Sequence, residues 1–592
     1  MNIFAQPCRY LLLKLILILG IAPAFAQETH IQSNVERGFS QAERERLFEQ
    51  ALAVFSEDRI PSAYRDRITS LQPQRCPTML LMDVKRNLNN FEPDQQIILR
   101  QLLARPVLSL SIASPSGVFR IHYSTTPPHA VSPEDSDGNS IPDFIDETAL
   151  AFDESFALEV NELAYRAAPD DGGVEGPEYD VYVQELGSGA YGFTVGEVQI
   201  DGTPQNDYTS YIQIDNDFDN GHFSTGVDGA RITAAHEYFH AIQFGYRLFA
   251  TTEEPFYYEM CSTWMEDVVY DDINDYFAYL PYYFRHTEIP FNAFDIRSYG
   301  QAVWNHFLVK NFDDPDLIRR SWEIMQSGPL AIDAINQSLL EKGSRLKDQM
   351  AEFAIWNYFT GPNRADPAHY YEEGAAYPNV HLDGNFLVDA DTTVTDSSLS
   401  MTAQYYKFTT TVAGEYAISG VVDDPSNWLF DAVVGATTYT FNIANGQNLG
   451  FLPEFTEIVV IPVNVQVLDG PELPQLKSRR SRFQFSLIRG AIDGDDERGI
   501  TNIFPNPFIV GQHSRIIFEF NPANTADLEA RILDSNGRVI TTVKFRDGVP
   551  SLSQSFFSWD GDGASPLASG VYLFQLKQDD FVAMKKFAVI YK

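Results

Sequence analysis

The chain has 592 residues, more than one hydrophobic core ordinarily serves, so three or four domains are expected. Apolar residues make up 44% of the chain, which is ordinary for globular protein and argues against wholesale disorder. The formal net charge of −39 repels nucleic acid and anionic lipid, so a nucleic-acid partner is excluded.

The first 26 residues have the pattern of a secretory signal peptide. Arg9 and Lys14 precede or interrupt an apolar run over 11–21, and Ala24-Phe25-Ala26 is a small-x-small cleavage site. The run is too short to span a bilayer, and no later segment has 18 uninterrupted apolar residues. We therefore expect a secreted or cell-surface protein without a membrane span.

Residues 27–110 are predicted to be helical and charged. The segments "SQAERERLFEQALAVF" and "NFEPDQQIILRQLLA" carry apolar residues at helical spacing. Ser40, with Glu43 three residues later, has the pattern of a capping box. The region is either a propeptide or an integral helical subdomain.

Residues 111–375 are predicted to form one α+β domain. "VFRIHYST", "YDVYVQEL" and "SYIQIDNDF" are rich in β-branched and aromatic residues, which indicates strands. An amphipathic helix over 146–166 separates the first two strands, and further helices follow the third.

Two all-β regions are predicted after this domain. Residues 385–490 contain segments such as "AQYYKFTTTV" and "RFQFSLI", which are typical of a β-sandwich. Residues 500–592 have short strands broken by "DSNGR" and "WDGDG", which predicts a second, smaller sandwich. The predicted fold class is therefore multidomain, with an α+β domain followed by two β-sandwich domains.

The loop "EDSDGNSIPDFIDE" has the oxygen-ligand spacing of a calcium site. Loop positions 1, 3, 5, 7, 9 and 12 are Asp135, Asp137, Asn139, Ile141, Asp143 and Asp146, with Ile141 offering its backbone carbonyl. The loop departs from the EF-hand, because glycine stands at position 4 rather than 6 and the last ligand is Asp rather than Glu. A structural Ca²⁺ is expected here, and the alternative is an acidic turn before a capped helix.

The segment "RITAAHEYFHAIQFGY" contains the motif H-E-x-x-H at His236, Glu237 and His240. Positions i and i+4 of a helix lie on one face, so the two imidazoles point towards one place. Neutral imidazoles bind Zn²⁺, and the glutamate beside them can act as a general base on a zinc-activated water. A helix with incidental histidines is the alternative.

A catalytic zinc site needs a third protein ligand and an open position. Glu259 follows His240 after 18 residues, within the segment 257–269, which lacks Gly and Pro and can form a second helix. Glu266 lies two turns further along the same face. It is either a hydrogen-bond partner for a ligating histidine or a solvated helix acid.

At this spacing the two histidines, Glu237 and Glu259 resemble the gluzincin superfamily of zinc metallopeptidases. There the third ligand lies in an E-G-x-A-x-[YW] helix, whereas this chain has Met260 and Ser262 in place of the Gly and Ala. "HEYFHAIQFGY", "STWMEDVVYDDINDY", "SYIQIDNDF" and "DGNSIPDFIDE" together resemble, more narrowly, a family of secreted bacterial zinc metalloproteases.

This resemblance implies a secreted zinc metalloendopeptidase that acts on a protein or peptide with Glu237 as general base. In many gluzincins a downstream Tyr or His stabilises the oxyanion. Tyr299 in "RSYGQAVWNHF" is the first candidate for this role and His306 the second, with packing as the alternative for Tyr299. The competing function is a non-catalytic cell-surface binding or adhesion protein that the metals only brace.

The tail contains "NIFPNPF", "RILDSNGRVI", "WDGDG" and "ASGVYLFQLK" in this order. Together these motifs resemble the Ig-like C-terminal sorting domain of the type IX secretion system. The resemblance implies that residues 500–592 contact the secretion machinery, and a plain adhesive β-sandwich is the alternative.

The predicted leader contains Cys8, so only Cys76 and Cys261 remain in the mature chain. A disulfide scaffold is thereby excluded. Three roles stay open for Cys76: a ligand at the open zinc position, as in cysteine-switch proteases, a bridge to Cys261, or an inert thiol.

Overall fold

A computed structural model describes residues 40–591 apart from short gaps. The gaps are 69–74, 187–188, 201–202, 204–205, 220, 365–369, 389–391, 442–447, 468–478, 490–498, 505, 507, 511–515, 522–528, 535–536, 545–554, 560–567 and 579–580. The predicted signal peptide, residues 1–26, lies outside the described residues. In the described ranges no helix has the length and apolar character that crossing a bilayer requires.

The N-terminal region is helical, as its sequence predicts. Its described α-helices are α1 (Gln41–Leu52), α2 (Ser62–Ile68), α3 (Thr78–Arg86) and α4 (Pro93–Leu102). The capping box is present, because the Glu43 amide donates to Ser40 Oγ at 3.3 Å and the Ser40 amide donates to Glu43 Oε2 at 2.9 Å. These reciprocal bonds satisfy two free amides and fix the start of α1.

The next region contains a five-stranded mixed sheet. Its elements are β1 (Leu110–Ala113), β2 (Phe119–Tyr123), α5 (Asp143–Phe156), β3 (Tyr179–Val183), β4 (Gly192–Gln199) and β5 (Tyr208–Ile214). The strand order is β1-β2-β3-β5-β4, with β2, β3 and β5 parallel and both edge strands antiparallel. α5 begins directly after Pro142, three residues earlier than predicted, and continues as a π-helical turn, Ala157–Glu162.

Eight helices follow in the described chain before the all-β regions. They are α6 (Gly226–Tyr246), α7 (Pro255–Val269), α8 (Leu280–Phe284), α9 (Arg297–Gly300), α10 (Val303–Phe312), α11 (Asp316–Gln326), α12 (Ala331–Glu341) and α13 (Leu346–Tyr358). α6 packs against β4, β5, α5 and α7, and nearly all of its side chains are buried. It is therefore the central helix of this region.

The two faces of the five-stranded sheet bury different partners. Val181 and Val183 of β3 join the core that contains α5 and α6, while Tyr182 between them joins a second core with α1, α3 and α4. Phe193 and Tyr211 lie in the same second core. Because alternate residues of a strand point to opposite faces, the N-terminal helices cover the second face of the sheet.

The strands of residues 385–490 form one hydrogen-bonded sheet. They are β6 (Gly384–Leu387), β7 (Thr392–Ser398), β8 (Thr402–Ala403), β9 (Tyr406–Val422), β10 (Trp428–Val434), β11 (Thr437–Phe441), β12 (Asn448–Asn464) and β13 (Ser481–Arg489). The path is β11-β10-β12-β9-β13-β7, with β6 paired to β9 and β8 to β12. Ile458 and Val460 belong to the core of this sheet, while Val459 and Ile461 belong to the core of the α+β region.

The C-terminal region contains two smaller sheets. Its strands are β14 (Gly499–Phe504), β15 (Phe508–Val510), β16 (Ile516–Asn521), β17 (Glu529–Asp534), β18 (Val539–Lys544), β19 (Ser555–Trp559), β20 (Gly570–Gln578) and β21 (Phe581–Tyr591). The sheet β14-β16-β19 shares a core with the sheet β15-β21-β20-β17-β18, where Phe518 stacks on Phe574 at 4.1 Å between ring centroids.

A multidomain chain that combines helices with several β-sheets is therefore confirmed. The finer assignment, a zincin-type domain followed by two β-sandwiches, stays a prediction.

Candidate metal centre

Two neighbouring helices bring the predicted metal ligands together. His236 and His240 lie one turn apart on α6, and their Nε2 atoms are 3.1 Å from each other. Glu259 reaches them from α7, with Oε2 at 3.3 Å from Nε2 of His236 and 3.6 Å from Nε2 of His240. All three side chains are buried.

These distances match a metal coordination sphere. Ligand atoms that lie about 2.0–2.1 Å from a tetrahedral ion are roughly 3.3 Å from one another. In addition, neither carboxylate oxygen of Glu259 has a hydrogen-bond donor among the described residues, although Glu259 is fully buried. An unpaired buried carboxylate is costly unless a cation neutralises it, so these residues fit a metal ion.

Cys76 contributes a fourth potential ligand. Its Sγ lies 3.3 Å from Nε2 of His240, and the four ligand atoms of Cys76, His236, His240 and Glu259 lie within 4.8 Å of one another. Both mature-chain cysteines are free, so the alternative of a bridge to Cys261 is absent from the structure. Cys261 instead accepts a hydrogen bond from Nδ2 of Asn305 at 3.4 Å.

A buried charge network orients the first histidine. Nδ1 of His236 lies 2.6 Å from Oε1 of Glu266, and Oε2 of Glu266 accepts a hydrogen bond from Nη2 of Arg75 at 2.6 Å. The same nitrogen of Arg75 lies 2.8 Å from Oδ2 of Asp275. Glu266 is therefore a buried partner of His236 rather than a solvated helix acid, and a carboxylate on Nδ1 turns Nε2 towards the centre.

An amide and a hydroxyl orient the second histidine. Nδ1 of His240 lies 2.7 Å from Oε1 of Gln243 and 3.1 Å from Oγ of Ser262. Nε2 of Gln243 donates to the carbonyl of Tyr258 at 3.0 Å, which fixes the amide between α6 and α7. Sequence reasoning missed Gln243, although its place three residues after His240, on the same helical face, was a usable signal.

The electrostatics of the centre favour a positive charge. Burial lowers the pKa of His236, but the nearby carboxylates of Glu259 and Glu266 outweigh burial and raise the pKa to about 9. Burial raises the pKa of Glu259, but the two imidazoles outweigh it and lower the pKa to about 2. Burial, with the carboxylates of Glu237 and Glu259, raises the pKa of the Cys76 thiol. A divalent cation would take the place of the protons that these groups bind.

Glu237 lies beside the metal group and accepts hydrogen bonds from two threonine hydroxyls. Its Oε2 accepts hydrogen bonds from Oγ1 of Thr194 at 2.8 Å and from Oγ1 of Thr78 at 3.2 Å. Gly192 on β4 lets the sheet approach α6 here, because a Cβ at that position would lie 3.1 Å from Cγ of Glu237 and 2.7 Å from Cγ2 of Thr233. Neither threonine was predicted from the sequence.

The two oxyanion candidates lie in different places. The ring of Tyr299 is 6.3 Å from that of His236 between centroids, and its hydroxyl donates to the backbone carbonyl of Cys76 at 3.3 Å. His306 is outside the metal group. Its Nε2 lies 3.5 Å from Oδ2 of Asp267, and burial lowers its pKa to about 4.

An open cleft of about 830 Å³ leads towards the centre. Arg75, Cys76 and Tyr299 line it, whereas neither histidine nor either glutamate of the centre does. Its lining also includes Phe223, Tyr282, Phe294 and Ile296, all of which are exposed to solvent. Residues 75 and 76 therefore lie between the cleft and the metal group, which the cleft itself does not reach.

The predicted calcium loop is exposed and partly convergent. Carboxylate oxygens of Asp135, Asp137 and Asp143 lie within 4.8 Å of one another. The side-chain amide of Asn139 donates to Asp137 at 3.2 Å and to Asp146 at 2.9 Å, while its own oxygen accepts from the Ile141 amide at 2.6 Å. Several loop oxygens thus bind local amide groups, and calcium here stays a prediction.

Comparison with known proteins gives little. No family model and no curated protein matches the chain. The pre-peptidase C-terminal domain of a Bacillus anthracis collagenase matches 19% of this chain and 99% of its own, at 9% identity and a TM-score of 0.15. PliG, a periplasmic inhibitor of g-type lysozyme from Salmonella Typhimurium, matches 18% of this chain and 98% of its own, at 9% identity and a TM-score of 0.13.

The adhesin domain of Epf from Streptococcus pyogenes matches 34% of this chain and 77% of its own, at 12% identity and a TM-score of 0.12. At such TM-scores these likenesses carry no argument about fold or function.

Proposed function

We propose that this chain is a secreted, zinc-dependent endopeptidase that hydrolyses peptide bonds in protein substrates. The observation that carries the proposal is Glu237, a buried carboxylate beside the metal group of His236, His240 and Glu259. It lies close enough to raise the pKa values of His236 and Cys76. A metal that only braces the fold has no use for this extra buried charge, whereas hydrolysis needs a base there.

The donor set favours zinc, because imidazole and carboxylate ligands in a compact arrangement suit this ion. Zinc supplies Lewis acidity, which lowers the pKa of a water molecule and polarises a substrate carbonyl group. Glu237 would accept the proton from the attacking water and pass it to the leaving amine nitrogen. The hydrogen bond from Thr194 at 2.8 Å holds its carboxylate in place.

Tyr299 is the proposed oxyanion donor. Its hydroxyl already donates to a peptide carbonyl, that of Cys76, beside the ring of His236. The same hydroxyl could donate to the oxyanion that forms on a substrate carbonyl. Burial raises the pKa of Tyr299 well above its usual value, so the hydroxyl keeps the proton that this role requires.

The cleft supports a polypeptide substrate with apolar side chains. Phe223, Tyr282 and Phe294 line it and are 64%, 46% and 42% exposed. Exposed apolar side chains that line a cleft are typical of binding surfaces. Delivery outside the cell is proposed from the signal-peptide pattern of the first 26 residues and from the resemblance of residues 500–592 to a sorting domain.

A second candidate function is the non-catalytic surface protein. The observation that favours it is Cys76, because four protein ligands are typical of structural zinc sites. On that interpretation no form of the protein hydrolyses peptides, and removing the metal only lowers its stability.

Metal analysis combined with casein hydrolysis tests the proposal. The zinc-loaded chain is incubated with unfolded casein, with and without a chelator, beside the matched variant Glu237→Gln. The variant keeps the volume of the side chain but not its basicity, so we expect one equivalent of zinc in both proteins and hydrolysis only with Glu237. Equal, measurable, chelator-sensitive hydrolysis by the two proteins would remove Glu237 from the mechanism.

A further inference from the structure

Residues 75–78, which precede and begin α3, contact the metal group and the two side chains proposed as base and oxyanion donor. Cys76 directs its sulfur to within 3.3 Å of His240, and a carboxylate oxygen of Glu259, which has no hydrogen-bond donor in the described chain, belongs to the same group of ligand atoms. The proposed hydrolysis has no use for a fourth protein ligand, because a catalytic zinc keeps one position open for water and substrate.

The same segment occupies the other groups that the reaction would use. Oγ1 of Thr78 donates to the carboxylate of Glu237, and it accepts hydrogen bonds from the Cys76 thiol at 3.1 Å and from the Thr194 amide at 2.8 Å. The carbonyl of Cys76 accepts the hydroxyl proton of Tyr299. The position for a fourth ligand, the base and the oxyanion donor are therefore all engaged by these residues.

Arg75 anchors this segment. Its guanidinium is buried between the carboxylates of Glu266 and Asp275, at 2.6 and 2.8 Å, and lies over the rings of Tyr191 and Tyr279 at 4.8 and 4.9 Å. Its carbonyl accepts a hydrogen bond from the Tyr191 amide at 2.9 Å. If Arg75 moved away, the carboxylates of Glu266 and Asp275 would lose the positive charge that compensates them. Arg75 is therefore held in place, and with it the neighbouring Cys76 at the metal group.

We propose that residues 75–78 hold the enzyme in a latent form, with the Cys76 sulfur as the fourth protein ligand of the metal. This inference rests on the proposed function. When the sulfur binds the ion, its S–H proton passes to solvent. When water displaces it, the sulfur takes a proton back and the fourth position becomes available to the reaction. The buried metal group would at the same time become continuous with the cleft that now ends at Cys76.

Cobalt substitution tests the metal–sulfur contact without any assay of activity. A thiolate bound to Co²⁺ gives an intense near-ultraviolet charge-transfer band, which imidazole and carboxylate ligands do not give. We expect the band in the full-length protein but not in Cys76→Ser. Cys261→Ser is the matched control and should keep the band, because the Cys261 thiol contacts Asn305 and not the metal group. The wild-type spectrum needs no variant to fold, and one equivalent of bound cobalt without the band would overturn the proposal.

Hydrolysis of unfolded casein tests the latency. If the open form makes up about 0.1–10% of the wild-type protein, Cys76→Ser should raise the rate by roughly ten-fold or more. The double variant Cys76→Ser/Glu237→Gln should be inactive, which excludes a contaminating protease. A thiolate band with measurable wild-type hydrolysis that does not increase in Cys76→Ser would overturn latency and leave Cys76 a ligand without a regulatory role.

The failure of the proposed function would look different. In that case the thiolate band is present in the wild-type protein, but no variant hydrolyses casein with bound zinc. Latency would then fall together with the peptidase, while Cys76 would remain a ligand of a purely structural metal.

Discussion

Replacing Glu259 by Gln should weaken metal binding more than any other change to an acid in this centre. The substitution keeps the shape of the side chain but removes its charge. Oε2 of Glu259 lies 3.3 and 3.6 Å from the two imidazole Nε2 atoms, and neither oxygen has a hydrogen-bond donor in the described chain. Structural zinc sites bind with about 10–16 kcal/mol, which is about 2.5–4 kcal/mol for each of four ligands. Losing one ligand therefore corresponds to roughly a 100- to 1000-fold loss of zinc affinity.

Glu266→Gln is the informative comparison. Glu266 touches Nδ1 of His236 and not the metal position, so its loss only loosens the orientation of the ring. A change of this kind costs about 10- to 100-fold in affinity. Glu341→Gln is the matched control, because this glutamate lies on α12 and pairs with Arg320 at the surface.

Competition with a chromophoric chelator measures all three affinities on purified protein. The expected order of zinc affinity is Glu341→Gln equal to wild type, Glu266→Gln weaker and Glu259→Gln weakest. Equal losses for Glu259 and Glu266, or the reverse order, would mean that the wrong glutamate of α7 has been assigned as the ligand.

Three further predictions follow from other parts of the chain. Ending the chain before Asn502 should leave the protein trapped in the periplasm, because the predicted sorting domain is lost. The trapped protein should still bind zinc, because the C-terminal strands have a core of their own. Unchanged surface delivery in cell fractions would dismiss the sorting assignment. Arg75→Met should lower the free energy of unfolding by about 3–5 kcal/mol in denaturant titrations, because it removes the guanidinium that compensates the buried carboxylates of Glu266 and Asp275, and a smaller effect would show that Arg75 is not an anchor. Burial raises the pKa of Glu159 well above 4.5, so folding takes up a proton there and the free energy of unfolding falls as pH rises above that value. Glu159→Gln should therefore stabilise the protein by about 1–3 kcal/mol at pH 8 and much less at pH 5, and an effect independent of pH would contradict this reasoning.

The local parts of the metal centre could be predicted from the sequence. Helix geometry alone places His236 and His240 on one face, and it places Glu266 two turns along α7 from Glu259. The Ser40 capping box was predictable for the same reason, since its bonds join residues three apart. These relations depend only on the regular spacing of a helix.

Contacts between distant parts of the chain could not be derived in this way. Cys76 and His240 are 164 positions apart, and Arg75 and Glu266 are 191 positions apart. Whether two such residues meet depends on how the N-terminal helices pack on the sheet. That packing needs the second apolar face, which includes Tyr182 and Tyr211. The sequence therefore left the role of Cys76 open among three alternatives.

The start of α5 shows a smaller limit of the same kind. The sequence pattern predicts a helix that begins at residue 146, within the acidic loop, whereas α5 begins at Asp143. Pro142 precedes that first residue, and the carboxylates of Asp143 and Asp146 lie in the first helical turn, where they interact favourably with the helix dipole. Calcium ligation and capping use the same acids, so their spacing alone did not fix where the helix begins.

The proposed hydrolysis depends above all on Glu237 as the base beside a metal held by His236, His240 and Glu259. The most direct measurement compares Cys76→Ser with Cys76→Ser/Glu237→Gln for bound zinc and for casein hydrolysis in the same preparations. We expect one equivalent of zinc in both proteins, chelator-sensitive hydrolysis in the first and none in the second. Hydrolysis that persists in the second protein, or a first protein that contains no zinc, would contradict this expectation.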